Sequence, residues 1–289
     1  MLQAAASRDI RRAQALDPQR AYDSYADLLR DPDVDAVYIA THNGLHRKLA
    51  VDALHSGKHV LCEKPLGCTA EECEDMVATA EATGRLLVEA FMYRHHPQIT
   101  RTQELFREGV IGELKAVEAS FCVYLERGSD VRMHPEWGGG ALLDVGCYCV
   151  NFARLFLGDV PRDVDAWAHI DAEHGIDMSL HGVLEYEGGT HATLSCGFEG
   201  GLHQRAVLIG TAGVLDLSDP FVTWMRRPRL TLRAGDTEEA TEFEPVNTFL
   251  MEIEDFCTAI SSGTPPLLQS YDGLQNARIL DRLKAAATR

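Results

Sequence analysis

The sequence predicts an α/β fold in two parts, and three observations support this. Up to Ala90, short apolar runs alternate with amphipathic segments, which is typical of βαβ units and a parallel sheet. From Leu114 onward, longer runs alternate apolar and polar residues, which predicts a mostly antiparallel sheet with one covered face. The 289 residues suffice for two domains, and 45% apolar with 25% charged residues is typical of a globular protein with a full core.

Local signals define the elements of the first part. Helices are predicted over residues 9–16, 24–29 and 46–56, the last of which Gly57 ends. Thr69 with Glu72 three residues later forms a capping-box pattern that opens a further helix, which Gly84 ends. Apolar runs predict strands over residues 34–40, 60–62 and 86–90.

The second part contains four alternating runs and two helical segments. Turn signals at Glu187-Gly188-Gly189 and Thr211-Ala212-Gly213 separate the runs. Strands are predicted over residues 114–124, 177–186, 191–198 and 204–210, and helices over 248–260 and 271–287. We therefore predict an α+β domain here, built on a large open sheet.

Composition excludes several classes of function. The formal charge of −17 argues against nucleic acid or an anionic membrane as a partner. No unbroken apolar stretch approaches the ~20 residues that span a bilayer. The eight cysteines lack a Cys-x-x-Cys pair, and Cys147 and Cys149 with His134 have the wrong spacing for a zinc cluster. We expect reduced cysteines, no metal and a cytoplasmic protein.

Glu63-Lys64-Pro65 follows a short buried strand. In open α/β sheets, ligands bind in the crevice outside the carboxyl ends of the strands. Pro65 ends the strand, so Lys64 is fixed at the rim of that crevice. Partial burial can lower the pKa of a lysine and make it a proton-transfer group. The alternative is a solvated surface lysine.

A second candidate group follows the glycine triplet at residues 138–140. The triplet allows a close approach or a sharp bend, and an apolar helix runs from it to Gly158. Asp144 and Tyr148 are four residues apart and share one helix face. An aspartate in an apolar run is costly without a partner. The alternatives are a capping or core-bonded aspartate and a core tyrosine.

These motifs resemble a known family. Residues 41–46, Glu63-Lys64-Pro65, residues 89–94 and the glycine-rich 144–148 helix are similar to the glucose–fructose oxidoreductase / inositol dehydrogenase (Gfo/Idh/MocA) family. The greatest similarity is to the branch of dimeric dihydrodiol dehydrogenases and NADP-dependent D-xylose-type dehydrogenases. The resemblance implies a Rossmann-type dinucleotide-binding domain over residues 1–93 and an α+β substrate-binding and dimerisation domain over residues 94–289. It also implies that Lys64 and Tyr148 form the catalytic pair.

One departure from the family concerns the beginning of the sequence. The family opens with a strand and a G-x-G-x-x-G turn that holds the pyrophosphate. Residues 1–9 instead resemble the second strand of that fold and its following turn. We therefore expect the Rossmann-type domain to be N-terminally truncated by roughly one strand and one helix.

The resemblance implies several cofactor-binding residues near the strand ends. Ser7, Arg8 and Arg12 follow the first strand, where an arginine accommodates a 2′-phosphate, so we expect NADP, with NAD and an ordinary solvated helix start as the alternative. Further candidates for dinucleotide contacts are Thr41, Asn43, His46, Glu63, Lys64 and Arg94. His46 either orders its loop or touches ligand, and Arg94 either reaches the nicotinamide end or forms a domain-boundary salt bridge.

The expected reaction is hydride transfer between the nicotinamide and a hydroxyl of a sugar, polyol or trans-dihydrodiol. Tyr148 would take the hydroxyl proton, with its pKa of about 10 lowered by the Lys64 cation, and Asp144 would orient the substrate or tune the pair. Alternatively Lys64 is the direct acid/base. We expect a homodimer through the open sheet. The alternative function is a non-catalytic dinucleotide-binding regulator or an inactive truncated member of the family.

Overall fold

The computed structural model describes residues 2–126, 128 and 130–288. The described residues form three sheets. Two strands and then three parallel strands come from the first ninety or so residues, and eight strands come from the remainder. The predicted α/β architecture, with a parallel part followed by a large mostly antiparallel sheet, is confirmed.

The first part alternates strands and helices as predicted. Its strands are β1 (Ala4–Ala6), β2 (Arg20–Tyr22), β3 (Ala36–Ile39), β4 (His59–Glu63) and β5 (Leu87–Ala90). Its helices are α1 (Ile10–Gln14), α2 (Tyr25–Leu29), α3 (His46–His55) and α4 (Ala70–Thr83). All pairings are parallel, in the orders β1-β2 and β3-β4-β5. Strand β2 was not predicted, because its three residues are all half-buried and show no alternation of apolar and polar side chains.

The capping box of α4 forms with one difference from the ideal. The Thr69 hydroxyl accepts the Glu72 amide at 3.2 Å, and Gly84 ends the helix in the left-handed conformation. The Glu72 carboxylate, however, accepts the amide of Cys68 at 2.8 Å rather than that of Thr69. The box thereby ties the start of α4 to the segment that leaves β4.

The eight-stranded sheet has the order β13-β12-β11-β10-β6-β9-β8-β7. Its strands are β6 (Leu114–Tyr124), β7 (Asp163–Ile170), β8 (Asp177–Glu185), β9 (His191–Gly197), β10 (Glu199–Gly210), β11 (Gly213–Ser218), β12 (Arg229–Ala234) and β13 (Thr237–Glu242). Only β6 and β9 pair in parallel. Strands β7, β11, β12 and β13 were not predicted from the sequence; every residue of β13 is exposed, so no apolar alternation marks it.

Four helices complete the second part. They are α5 (Pro97–Arg107), α6 (Cys147–Leu157), α7 (Thr248–Ser262) and α8 (Ser270–Ala287). Helix α6 packs between the large sheet and α8, while α8 also contacts α4, β5 and β7. The last helix therefore belongs to the packing of both parts of the chain.

One stretch of the described residues, Pro135–Leu157, is long and apolar enough to cross a membrane by length and composition. Its most apolar window is 78% buried inside the protein. Because α6 lies within this stretch and packs against the sheet, its hydrophobicity is that of a core helix.

Candidate active site

The end of β4 meets the start of the α6 segment through an ion pair. The Lys64 ammonium donates to the Asp144 Oδ1 and to the Asp144 backbone carbonyl, both at 2.8 Å. The side chains are 15% and 19% exposed, so the pair is sheltered from water while its edge is reachable. The two candidate groups that lie eighty residues apart in the sequence thus form one site.

Asp144 lies in a π-helical turn, Leu142–Gly146, that leads directly into α6. Such turns are rare in proteins, and a large share of those that occur lie at functional sites. The second carboxylate oxygen of Asp144 lies 3.4 Å from Arg132, whose guanidinium also pairs with Asp130 at 2.8 Å. Arg132 was not among the candidate residues, because only the folded loop shows which carboxylates its guanidinium pairs with.

The glycine triplet allows this loop to pack closely. Gly138 and Gly140 have φ values of 75° and 110°, which side-chain-bearing residues rarely adopt. A Cβ on Gly140 would collide with the Asp177 carboxylate, and that carboxylate accepts the Leu142 amide at 2.6 Å. The predicted close approach is confirmed, and its partner is Asp177.

Tyr148 lies on α6 with only 6% of its surface exposed. Its hydroxyl donates to the Met92 sulfur at 3.6 Å, a weak acceptor. The Lys64 nitrogen lies 5.2 Å from the centre of the Tyr148 ring, within cation–π range. The remaining ring neighbours of Tyr148 are Phe91, Tyr93, Phe121 and Phe221.

The charges of the site are set by burial and by these pairs. Burial lowers the pKa of Lys64, but the Asp144 carboxylate outweighs it and holds the pKa well above its usual value. Burial raises the pKa of Tyr148 more than Lys64 lowers it, so that pKa is also well above the ordinary value. Burial raises the pKa of Asp144, yet Lys64 and Arg132 bring it below the usual range. The predictions of a lowered pKa for Lys64 and for Tyr148 are wrong in this structure, because the attraction of Asp144 outweighs burial at Lys64 and burial outweighs the effect of Lys64 at Tyr148.

The residues predicted to hold the 2′-phosphate lie together after β1. Arg8 and Arg12 are exposed, and the Ser7 hydroxyl accepts the Asp9 amide at 3.3 Å. Burial lowers the pKa of His42, and the positive charge of Arg8 lowers it further. Ser7 thus has a role at the helix start, whereas both arginines face solvent.

The loop after β3 is in contact with the glycine-rich segment. The Asn43 amide donates to the Gly138 carbonyl at 2.7 Å, and the His42 ring stacks on Trp137 with centroids 5.1 Å apart. The His42 Nδ1 is buried without a partner among the described residues. Both His42 and Trp137 are absent from the sequence-based candidates, because their stacking joins loops ninety-five residues apart.

The other predicted cofactor-binding residues make protein contacts here. Thr41 and His46 are joined, since the Thr41 carbonyl lies 3.1 Å from the His46 Nε2. Glu63 accepts the Tyr38 hydroxyl. Arg94 donates to the Asn151 side-chain oxygen at 3.1 Å, which is a hydrogen bond and not the salt bridge that was the alternative to a cofactor contact.

The residues present fit the two ends of a dinucleotide. Arg8 follows the end of β1, His42 follows the end of β3, and Glu63 with Lys64 lies at the end of β4, and such strand ends are where ligands bind in open α/β sheets. The first glycine of the sequence is Gly44, so the residues around β1 and α1 include no glycine turn. Among the described residues no group of three or more His, Cys, Asp or Glu side chains could hold a metal ion.

Parallel strands whose carboxyl ends carry a Lys–Asp pair beside a buried tyrosine, joined to a large open sheet, define a two-domain dinucleotide-dependent oxidoreductase. The oxidoreductase family with an NAD-binding Rossmann fold matches residues 2–91, and the GFO/IDH/MocA C-terminal domain matches residues 99–216. The chain belongs to the GFO/IDH/MocA family, as its motifs predict.

Named relatives show the same organisation. The chain is 36% identical to a D-xylose 1-dehydrogenase (NADP(+)) of Haloferax volcanii, over 98% of this chain and 89% of the relative. It is 36% identical to a trans-1,2-dihydrobenzene-1,2-diol dehydrogenase of Xenopus tropicalis, over 74% and 66% of the two chains. A 3-ketoreductase from Actinomadura kijaniata, solved with NADP and TDP-benzene, superposes with a TM-score of 0.90 at 32% identity, covering 99% of this chain and 89% of that one.

Proposed function

We propose that the chain interconverts a hydroxyl and a carbonyl group of a sugar or diol with NADP, using Tyr148, Lys64 and Asp144. The observation that carries the proposal is the Lys64–Asp144 ion pair beside the Tyr148 ring at the strand ends. Relatives named for D-xylose, for a trans-dihydrodiol and for a 3-keto substrate support a hydroxylated small molecule. Two of those names include NADP, which supports the cofactor.

When bound, the nicotinamide supplies the group that accepts or donates a hydride. The chain must then move one proton at the substrate oxygen. Tyr148 is the proton donor, because among the described residues its hydroxyl is bonded to a thioether alone and can turn to a substrate. Lys64 is the cation that stabilises the phenolate, since its ammonium is committed to Asp144 and lies over the ring.

Raised pKa values at Lys64 and Tyr148 keep both groups protonated at neutral pH. A protonated Tyr148 can donate its proton to the carbonyl oxygen of a substrate while that oxygen becomes an alkoxide. Carbonyl reduction requires such a proton donor. In the oxidative direction the same hydroxyl must first lose its proton. The resting charges of the site therefore favour carbonyl reduction at neutral pH.

Cofactor holding is assigned to the two ends of the crevice. Arg8 and Arg12 take the 2′-phosphate, because both guanidinium groups are exposed beside the end of β1. Asn43, with Thr41 and His46 of the same loop, lines the middle, and Glu63 accepts ribose hydroxyls beside Lys64. Arg94 orders the domain boundary through Asn151.

We place the domain boundary between residues 93 and 94 and propose a homodimer through the open face of the eight-stranded sheet. This face carries Trp167, which is 63% exposed, beside the bonded pairs His181–Ser195 and Ser120–His203. The eight cysteines are all free, which supports a reducing, cytoplasmic location.

The test combines turnover with cofactor binding. Purified protein is assayed with NADP⁺ against D-xylose and trans-1,2-dihydrobenzene-1,2-diol, and with NADPH against keto sugars. Lys64→Ala and Tyr148→Phe should each lower kcat by about 10²–10⁴ while NADPH still binds. NADPH binding without turnover on any hydroxyl or carbonyl substrate would instead support a non-catalytic regulator.

A further inference from the structure

The backbone that follows Lys64 is held from two sides by buried side chains. The Pro65 carbonyl lies 2.9 Å from the His46 Nδ1, and the Leu66 amide donates to the Glu89 Oε1 at 2.7 Å. His46 is fully buried and Glu89 is 2% exposed. The carbonyl and the amide of one peptide group, the one that joins Pro65 to Leu66, thus each meet a titratable side chain that takes no part in the proposed proton transfer.

These two side chains cannot easily move away. His46 begins α3, and its other ring nitrogen lies 3.1 Å from the Thr41 carbonyl. Glu89 lies on β5, the strand beside β4, and α8 closes over it at Gly273, where a Cβ would lie 3.1 Å from the Glu89 Oε2. Three elements therefore confine the two groups that hold the peptide.

We propose that Glu89 and His46 are positioning residues that fix Lys64 over Tyr148 by clamping the Pro65–Leu66 backbone. This rests on the proposed function of Lys64. A lysine has a flexible four-carbon stem, so where its nitrogen lies depends on where its backbone is held. A displacement of about 1 Å at a reacting centre can cost about 10²-fold in rate. Both hydrogen bonds are buried, so water does not replace either of them when a substitution removes it.

The charge of Glu89 determines which variant preserves the clamp. Burial raises the pKa of Glu89 to about 8, with Asp272 adding to the rise, while Arg154 and Lys64 oppose it. At neutral pH the side chain is therefore mostly protonated. Glu89→Gln keeps both this neutral charge and the oxygen that accepts the Leu66 amide, whereas Glu89→Leu keeps the approximate volume and removes the acceptor.

The experiment measures kcat, KM and NADPH affinity for Glu89→Gln and Glu89→Leu, each alone and combined with Lys64→Ala. We expect Glu89→Gln to stay within about threefold of wild type and Glu89→Leu to lose about ten- to hundredfold in kcat, with NADPH affinity little changed. In the Lys64→Ala background, Glu89→Leu should cost less than about twofold more, because its effect passes through Lys64. Glu81→Leu, at an exposed position on α4, is the matched control.

A second readout does not depend on turnover. Hydrogen exchange at the Leu66 amide should accelerate in Glu89→Leu but not in Glu89→Gln. For the other side of the clamp, His46→Gln can still donate to Pro65 and should retain more kcat than His46→Leu, with the exposed His55→Leu on the same helix as control.

Two patterns overturn the inference. An equal loss from Glu89→Leu with and without Lys64 would mean that Glu89 only supports the fold. A Glu89→Leu variant that keeps wild-type kcat would mean that no clamp is needed. Wild-type turnover by Lys64→Ala alone would overturn the proposed function as well, so the two failures are distinguishable.

Discussion

Arg132 and Lys64 bind opposite oxygens of the Asp144 carboxylate, at 3.4 and 2.8 Å. One buried anion thus neutralises the cation at the end of β4 and is itself held by a guanidinium from the loop before the glycine triplet. Asp130 in turn pairs with Arg132. The four side chains from Lys64 to Asp130 therefore form a chain of alternating positive and negative charges. The Lys64 ammonium is bonded to this chain of charges and is kept protonated by it.

Neutralising Asp144 should therefore change the pH dependence of the reaction. In Asp144→Asn, burial continues to lower the pKa of Lys64 while the attraction that raises it is lost, so the pKa should fall. We expect kcat to drop by about 10²-fold and its alkaline limb to move to lower pH. Asp33→Asn, which breaks an ion pair on the surface, is the control. An unchanged pH profile with reduced kcat would contradict the electrostatic role.

The two directions of the reaction should respond differently to pH. Because Tyr148 and Lys64 have pKa values well above 10 and 10.5, both remain protonated through pH 9. Carbonyl reduction should thus be flat from pH 6 to 9, whereas alcohol oxidation should rise with pH, by up to tenfold per unit. Tyr148→Phe should abolish the rise. A reductive rate that falls with an apparent pKa near 7 would exclude Tyr148 as the donor.

Arg8 should discriminate between the two nicotinamide cofactors. Arg8→Ala should weaken NADPH binding by about tenfold or more, the value of a charge-assisted hydrogen bond, and leave NADH nearly unaffected. Fluorescence titration of both cofactors measures this. Arg11→Ala is the matched control, since Arg11 is exposed on α1, three residues after Arg8, but pairs with Asp9. Equal weakening of both cofactors would show that Arg8 has a structural role.

Glu252 should make the protein less stable at alkaline pH. This residue of α7 is 3% exposed, and neither carboxylate oxygen has a hydrogen-bond partner among the described residues. Burial, and then the nearby Glu63, raises its pKa from 4.5 to about 8. Between pH 4.5 and about 8, Glu252 is therefore protonated in the folded state and ionised in the unfolded state. The free energy of unfolding consequently falls as the pH rises through this range.

The measurement is thermal unfolding of Glu252→Gln across pH 5 to 9. The variant should gain stability relative to wild type as pH rises, by several degrees in Tm at pH 9, and the gain should shrink toward pH 5. Glu254→Gln, exposed on the same helix, should show no such trend. A gain independent of pH would mean that Glu252 does not titrate between 4.5 and 8.

The site shows how far sequence alone could go. Lys64 at a strand end and Asp144 after the glycine triplet could each be recognised from local signals, but that they belong to one site was implied only by the resemblance to the family. The contacts of Arg132 and Glu252 could not be predicted from the sequence. Arg132 lies in the loop before the glycine triplet and Glu252 on helix α7, and only the folded structure shows which surfaces these two elements cover. The direction of the Lys64 pKa was missed for a related reason, since burial and an ion pair oppose each other and only geometry decides between them.

Helix α8 has a consequence for how the protein is made. Leu274 and Ala277, on this last helix, share a buried cluster with Leu66, Cys73 and Val77, which are near or within α4. During synthesis the apolar surface of those earlier residues stays uncovered until α8 has left the ribosome. The apolar cluster around α4 is thus completed only once α8 is available, which makes the nascent chain dependent on protection up to that point.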